Sequence, residues 1–406
     1  RYGIGDIPFE GFAKNIGMGG IGIAYRPPYN VNPINPAAYS AITLTTFEIG
    51  ASASFTRLTT TSLQQKKSDA TFSYFALGFP VVKNKWGAAL GLVPFSDVGY
   101  KINEAIADTN AGGINNSYEG SGGVNRFFIG NSVSLFKNFS AGVNASYLFG
   151  TLKRTSRIEF SNVNFFNSRY TETASIKSVY FSYGMQYVID SLPKRVKSDS
   201  TAFTKVKTDR SLSFGFTFSL PTNLSAEKNL LGENYVSSGV LTYVRDTIIN
   251  TEGAKGTIDL PYSVGFGFVF KKGNQLLIGA DASMQNWKNF SYFGEDDLLR
   301  NSLHISSGAQ FTPDERAMKS WWQSVQYRFG MFYNQTYLQL KTSQLDEYGL
   351  TLGMGLPLRK GLSTIQLSAQ LGRRGTTENN LIREDFVRFT LGITFNDRWF
   401  IKPKFD

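Results

Sequence analysis

Few residues in this 406-residue sequence could carry out chemistry, and each can be weighed in turn. There is one His, His304, and no Cys. That excludes a multi-His metal centre, a Cys-ligated zinc or iron–sulfur site and a Cys nucleophile, so neither metal nor cofactor is expected. A serine hydrolase would have to use His304. On a strand Ser306 shares its face and Ser307 does not. A lone His among small polar residues is better read as a hydrogen-bonded filler, so no catalytic residue is assigned and the chain is not expected to be an enzyme. Gly17-Met18-Gly19-Gly20-Ile21-Gly22 matches G-x-G-x-x-G in form. A dinucleotide fingerprint needs a strand before it and a helix after it. Here Arg26-Pro27-Pro28 follows within a few residues, and close backbone packing is the better account of these glycines. Three guanidiniums, Arg126, Arg328 and Arg388, lie among small residues where a ligand carboxylate could be held. The other reading, which we favour, pairs them with Glu48, Asp281 and the backbone of the N-terminal segment.

The elements that must position these groups show a strong period of two. Tyr262, Val264, Phe266, Phe268 and Phe270 alternate with Pro261, Ser263, Gly265, Gly267 and Val269. The same pattern fills 212–220, 348–358 and 387–395. It recurs more weakly near 45–57, 71–81, 86–99, 125–136, 139–151, 176–188, 275–287, 302–311, 324–333 and 363–372. The bulky face of each segment is uncharged at its centre. The opposite face is small and polar, with occasional charges such as Glu48, Arg126, Asp281, Arg328 and Arg388. A soluble sandwich would carry many charges on its outer face. Lipid outside and a polar lumen inside fit better. Aromatics at 15% supply the lipid-facing rows, and hydrophobics at only 41% reflect the polar half of each strand. No apolar run approaches the roughly 18 residues of a membrane helix. The absence of a secretory apolar region at Arg1 fits a processed form. The expected fold is all-β: a 14-stranded antiparallel transmembrane barrel over 43–396, with a periplasmic tail at 397–406, in the bacterial outer membrane.

Short junctions (82–85, 137–138, 271–274, 359–361) alternate with long ones (59–69, 102–121, 152–175, 221–258, 288–301, 334–346, 373–384), as periplasmic turns alternate with extracellular loops. Two periplasmic links are unusual. Residues 189–210 are basic, with Lys194, Arg195, Lys197, Lys205, Lys207 and Arg210, and 312–323 suggests a short helix ending at Trp321-Trp322. The formal charge of +11 lies largely in turns and loops, and no nucleic-acid module accompanies it. Membrane lipid and lipopolysaccharide are the partners this pattern implies. Residues 1–42 hold seven Gly and five Pro, too many for ladder strands. They also carry Phe9, Phe12, Met18, Ile21, Ile23, Tyr25 and Tyr29. Such a segment is expected to fold inside the barrel as a hatch.

This ordered set resembles the FadL/TodX-type outer-membrane transporters of hydrophobic compounds. The resemblance rests on the Gly-rich hatch (Gly17, Gly19, Gly20), Asn35-Pro36-Ala37 before the first strand, Asp259-Leu260-Pro261 before an aromatic strand, and the ending Arg374-Gly375-Thr376-Thr377 … Asn396-Asp397-Arg398-Trp399-Phe400. The ending is similar to a subgroup of these barrels common in Bacteroidota. The resemblance implies passive uptake of long-chain fatty acids or hydrocarbons, gated by the hatch, with sideways release where the third strand kinks. Pro94, followed by Phe95-Ser96-Asp97, is the candidate kink, since proline cannot donate to a ladder. A strand ending at Val93 is the other reading. A hydrophobic ligand or detergent is then a partner. The subgroup also contains barrels that serve as subunits of an outer-membrane assembly or secretion complex, for which other outer-membrane or periplasmic proteins would be partners.

Overall fold

The computed structural model describes the chain except residues 1–2, 9–10, 109–111, 163, 193, 198–202, 207–208, 239–240, 298, 316, 318–319, 341–342, 359–362 and 400–406. Phe9, the 359–361 turn and the end of the tail therefore lie outside the described residues. So do Lys207 and, in the rest of the basic link, the side chains of Lys194, Arg195, Lys197 and Lys205. The strands in chain order are β1 (Thr45–Thr59), β2 (Gln64–Val82), β3 (Trp86–Asp108), β4 (Gly112–Phe136), β5 (Phe139–Phe160) and β6 (Asn167–Ile189). Then come β7 (Lys194–Lys197), β8 (Phe203–Val206), β9 (Arg210–Ser219), β10 (Thr222–Ser238), β11 (Leu241–Leu260), β12 (Ser263–Lys272) and β13 (Leu276–Gln285). The last are β14 (Ser291–Tyr292), β15 (Glu295–Asp296), β16 (Ser302–Phe311), β17 (Gln326–Leu340), β18 (Ser343–Pro357), β19 (Thr364–Arg374) and β20 (Arg383–Asp397). α1 (Ala13–Ile16) lies in the N-terminal segment, and α2 (Trp321–Ser324) begins at the tryptophan pair where the expected helix was to end.

Fourteen of these strands close a ring. The antiparallel order is β1 to β6, then β9, β12, β13, β16, β17, β18, β19 and β20, and β20 pairs back with β1 from Thr45↔Asp397 to Thr59↔Arg383. Closure pairs the backbone N–H and C=O groups within the protein, which lipid requires. The outer surface is a belt of Phe, Leu, Ile and Tyr, for example Phe266, Leu352 and Phe389, each about half exposed. No helix among the described residues is long and apolar enough to cross a membrane. The chain is an outer-membrane β-barrel.

Several stretches expected as loops are strand. β3 and β4 stay paired to Asp108↔Gly112, and β5 and β6 to Ile158↔Ser168. The 221–258 stretch is the hairpin β10–β11, whose first strand also pairs with β6 from Ala226↔Ile176 to Tyr235↔Asn167. Above the bilayer a sheet has water on both sides, so side-chain alternation lapses while backbone pairing continues. That is why the sequence pattern under-measured these strands.

The 286–301 connection folds inward rather than outward. Trp287 stacks on Tyr337 with ring centroids 4.2 Å apart. Trp287, Phe290, Tyr292 and Leu299 pack with Leu148, Leu152, Ala174, Ile176, Leu224 and Ile258 into a buried core in the extracellular half of the barrel.

A cation on the lipid belt near the bilayer centre is expected to cost about 2–4 kcal/mol. Leu352→Arg should lose that much in reversible unfolding from phospholipid vesicles, and Leu352→Ile should stay within about 1 kcal/mol of the parent. Equal stability of the two variants would remove Leu352 from the lipid face.

Candidate functional site

The N-terminal segment lies within the ring, because its partners are lumen-facing side chains from opposite walls. Two wall carboxylates hold it by main-chain donors. Asp281 on β13 accepts from the N–H of Gly22 at 2.6 Å and of Ile23 at 2.8 Å, and Glu48 on β1 accepts from the N–H of Val31 at 2.7 Å. Amides add to this: Gln186 on β6 donates to the Ile23 carbonyl at 3.0 Å, and Tyr39 donates to Asn144 on β5 at 3.0 Å. Glu48 and Asp281 are both buried. A buried carboxylate is stable only where donors replace water, and the backbone of the N-terminal segment supplies them. The buried Lys14 ammonium donates to Asn30 at 2.8 Å, and Asn30 donates to Thr394 on β20 at 3.2 Å. Burial pushes Lys14 down to about 7, the nearby Arg328 guanidinium adds to the fall, and the Glu48 carboxylate opposes it.

The glycines of the N-terminal segment sit at close approaches to the wall. Gly19 has φ +69°, and a Cβ there would stand 2.5 Å from the Ser307 carbonyl and 2.6 Å from that of Met331. Its N–H donates to Thr351 at 2.8 Å. Gly17 faces Gly353 across a similarly close approach. Gly20, also at positive φ, donates its N–H to the Asn15 carbonyl. Asn35-Pro36-Ala37 begins a 3-10 turn at Pro36–Ala41. The Asn35 side chain caps that turn by accepting from the Ala37 N–H at 3.0 Å, and it donates to the Ile23 carbonyl at 2.6 Å. The tripeptide is therefore a capping and cross-linking device of the segment.

Arg328 and Arg388 do not pair with the carboxylates as expected. Arg328 is buried and donates to Gln310 at 2.8 Å, to Gln366 at 2.7 Å and to Gln326. Arg388 reaches Gln370 at 3.4 Å. The Arg126 guanidinium lies 5.9 Å from the centre of the Phe128 ring. Glutamines take the donors of Arg328 and Arg388, and the backbone of the N-terminal segment takes the two carboxylates. Glu48, Asp281, Arg328 and Arg388 thus each meet neutral dipoles. Among the three, Arg126 and Arg388 line the lumenal cavity of about 380 Å³, and Arg328 does not. Phe95, Tyr180, Trp287, Phe332 and Tyr337 give that cavity an aromatic side, while Ser283, Ser302, His304 and Asn334 give it a polar one. Ser306 stands opposite Asp281 across the β13–β16 ladder.

β3 continues through Pro94, with a bulge in its pairing to β4 between Pro94 and Ser96. The β2–β3 ladder ends at Phe75↔Leu92, although β2 runs on to Gln64 and β3 to Asp108. The two strands part at this point. Just beyond it, Asp97 exchanges two 2.8 Å main-chain hydrogen bonds with Asp6 of the N-terminal segment. Arg374 grips the Asp6 carboxylate in two bonds of 2.9 and 2.6 Å. Arg154 donates to the Gly3 carbonyl at 2.6 Å, and Tyr337 donates to that of Gly5. Reading the sequence missed Asp6, Arg154 and Arg374 as holders of the tail. It also missed the inward fold of 286–301, although the aromatic run Trp287, Phe290, Tyr292, Phe293 in a supposed loop was a usable signal.

The BamG family model matches residues 1–406, the whole chain. The chain belongs to the BamG family. Solved structures similar to it include the Pseudomonas putida toluene transporter TodX (15% identity, TM-score 0.62, covering 98% of this chain and 100% of that one). A Pseudomonas aeruginosa FadL homologue is also similar (14%, 0.61, 97% and 99%), as is the Ralstonia pickettii toluene transporter TbuX (13%, 0.60, 96% and 99%). At these identities the likeness establishes a shared FadL-type fold. No curated protein sequence matches. Within the BamG fold the lumenal carboxylates are testable anchors. Asp281→Ala would leave the Gly22 and Ile23 amides unpartnered, at a cost of about 1–3 kcal/mol. Amide hydrogen exchange at Gly22 and Ile23 should then accelerate by roughly tenfold to a hundredfold while the barrel keeps its heat-modifiable migration. Unchanged exchange would show that the segment is held elsewhere.

Proposed function

We propose that this barrel moves hydrophobic molecules such as long-chain fatty acids or hydrocarbons from its lumen sideways into the bilayer, with residues 1–42 acting as the hatch. The observation that carries this reading is the parting of β2 from β3 above Phe75↔Leu92, beside a cavity that Phe95 and Asp97 line. Lipid tolerates an unpaired strand edge only where it lines a cavity, and a gap there connects cavity to membrane. Pro94, Phe95, Ser96 and Asp97 form the bend. The Asp6–Asp97 bridge lies across it, so shifting the N-terminal tail would open the route. Arg126 and Arg388 give the cavity a place for an anionic head group. The toluene transporters TodX and TbuX, which share the fold, are in keeping with this reading.

A second reading has its own support. The match to the BamG family spans the full chain, and the lumen holds both the N-terminal segment and the Trp287–Tyr337 core, which Ile4 of that segment joins. A barrel filled in this way suits a subunit of an outer-membrane assembly or secretion complex, with its outer surfaces as the working parts.

The two readings separate in one preparation. Purified protein in liposomes should take up an aliphatic fluorescent probe, and Asp6→Ala, which frees the Arg374 grip, should raise the rate severalfold, in line with a latch of about 1 kcal/mol. No uptake by parent or variant, together with recovery of the protein in a stable stoichiometric membrane complex, would favour the subunit reading.

A further inference from the structure

The ring is broken a second time, on another wall. β6 pairs with β9 up to Ser182↔Ser219 and resumes with β10 at Ile176↔Ala226. The register passes over Lys177–Phe181 on one side and Leu220–Ser225 on the other. Pro221 falls in this stretch and has no N–H to offer. Pro261 follows the end of β11 at the matching level of the neighbouring pair, where the ladder steps from Ser219↔Ser263 to Thr222↔Leu260. The barrel wall and the β10–β11 hairpin therefore meet at two prolines, and the seam toward β6 is open.

The break lies within the apolar belt. Val179, Phe181 and Leu220 flank it and are about half exposed on the outer surface. Tyr183 and Phe218 stack below it with ring centroids 4.8 Å apart. The lumenal cavity reaches it. On β13 the cavity touches the alternate, lumen-facing residues Asp281, Ser283 and Gln285. At the seam it touches lumen-facing Ser182 and Ser219 and also outward-facing Tyr183 and Phe218. The cavity thus extends to Ser182↔Ser219, the last paired position of the β6–β9 ladder, and to Tyr180 inside the unpaired stretch. On the lumen side the opening leads past Tyr180 to Phe95, whose ring centroids are 5.9 Å apart.

We propose that this seam is a lipid-binding window, in which an acyl chain of a bilayer phospholipid enters between β6 and the junction of β9 with β10 and lies against Tyr180 and Phe95. Its frame is apolar outside, its sill is aromatic, and the small side chains of Ser182 and Ser219 form the lower edge of its throat. Lys177, exposed at its upper edge, offers a cation to a lipid phosphate. The site is separate from the β2–β3 gap, and a barrel that transports nothing would still hold a lipid there.

The test uses the full chain in phosphatidylcholine liposomes containing a phosphatidylcholine with a diazirine near the end of one acyl chain. After irradiation, cross-links are mapped by mass spectrometry. Labels are expected on lumen-facing Tyr180 and Phe95 as well as on belt residues such as Phe266. Ser182→Phe and, independently, Ser219→Leu fill the throat. Each variant, checked for heat-modifiable migration, should lose the Tyr180 and Phe95 labels and keep the belt labels. The proposal is overturned if the parent protein is labelled on the belt alone. It is also overturned if lumenal labels persist in a folded throat-filled variant, since the lipid chain would then enter by the β2–β3 gap. Absence of uptake by the parent protein, with the labels as expected in parent and variants, would count against the transport reading and not against the window.

Discussion

Pairing of the backbone inside lipid is the constraint on which the rest of this structure depends. A strand in hydrocarbon has no water to satisfy its N–H and C=O groups, so fourteen strands must form a closed ring. Side-chain choice follows from closure. One face of each strand meets lipid and is bulky and apolar, and the other meets the lumen and is small or polar. The lumen is then too wide for its own side chains to fill, and the N-terminal segment and the inward-folded 286–301 connection occupy it. The few buried charges of the wall, Glu48 and Asp281 above all, are stable because that segment brings main-chain donors to them.

Against this constraint the places where pairing stops are informative. β2 leaves β3 at Phe75↔Leu92, and β6 passes from β9 to β10 with part of its length out of register. A proline lies close to each break, Pro94 at the first and Pro221 at the second. The lumenal cavity lies beside both. In a soluble sheet such interruptions would be repaired by water. In an outer-membrane wall they persist only next to an internal space, which ties each of them to what that space holds.

The lipid-facing rows of all fourteen strands were legible in the sequence, because lipid imposes period two on bulky residues without exception near the bilayer centre. That residues 1–42 differ from the wall was legible from composition: their Gly and Pro disfavour ladder strands, and Phe12, Met18 and Ile21 disfavour a free tail. The extracellular extensions of β3 to β6 and the β10–β11 hairpin were not legible, since stretches such as Lys101–Asp108 and Glu227–Ser238 alternate weakly between two watery faces. The partners of the arginines were misjudged for a related reason. Opposite charge is visible in a sequence, but which of several lumenal amides lies nearest is decided by strand register. Arg328 thus meets Gln310 and Gln366 in place of Glu48.

The sequence by itself determined the solvent on each side of the wall, the number of strands and the existence of an inner segment. All of these follow from side-chain type at fixed periodicity, a local property of the chain. Only the tertiary structure decided how that inner segment is held, where the ladder opens and which residues line the cavity. Asp6 and Asp97, Gly22 and Asp281, Ser182 and Ser219 are distant in sequence and are brought together by closure and register. Those are global properties, set when the last strand pairs with the first.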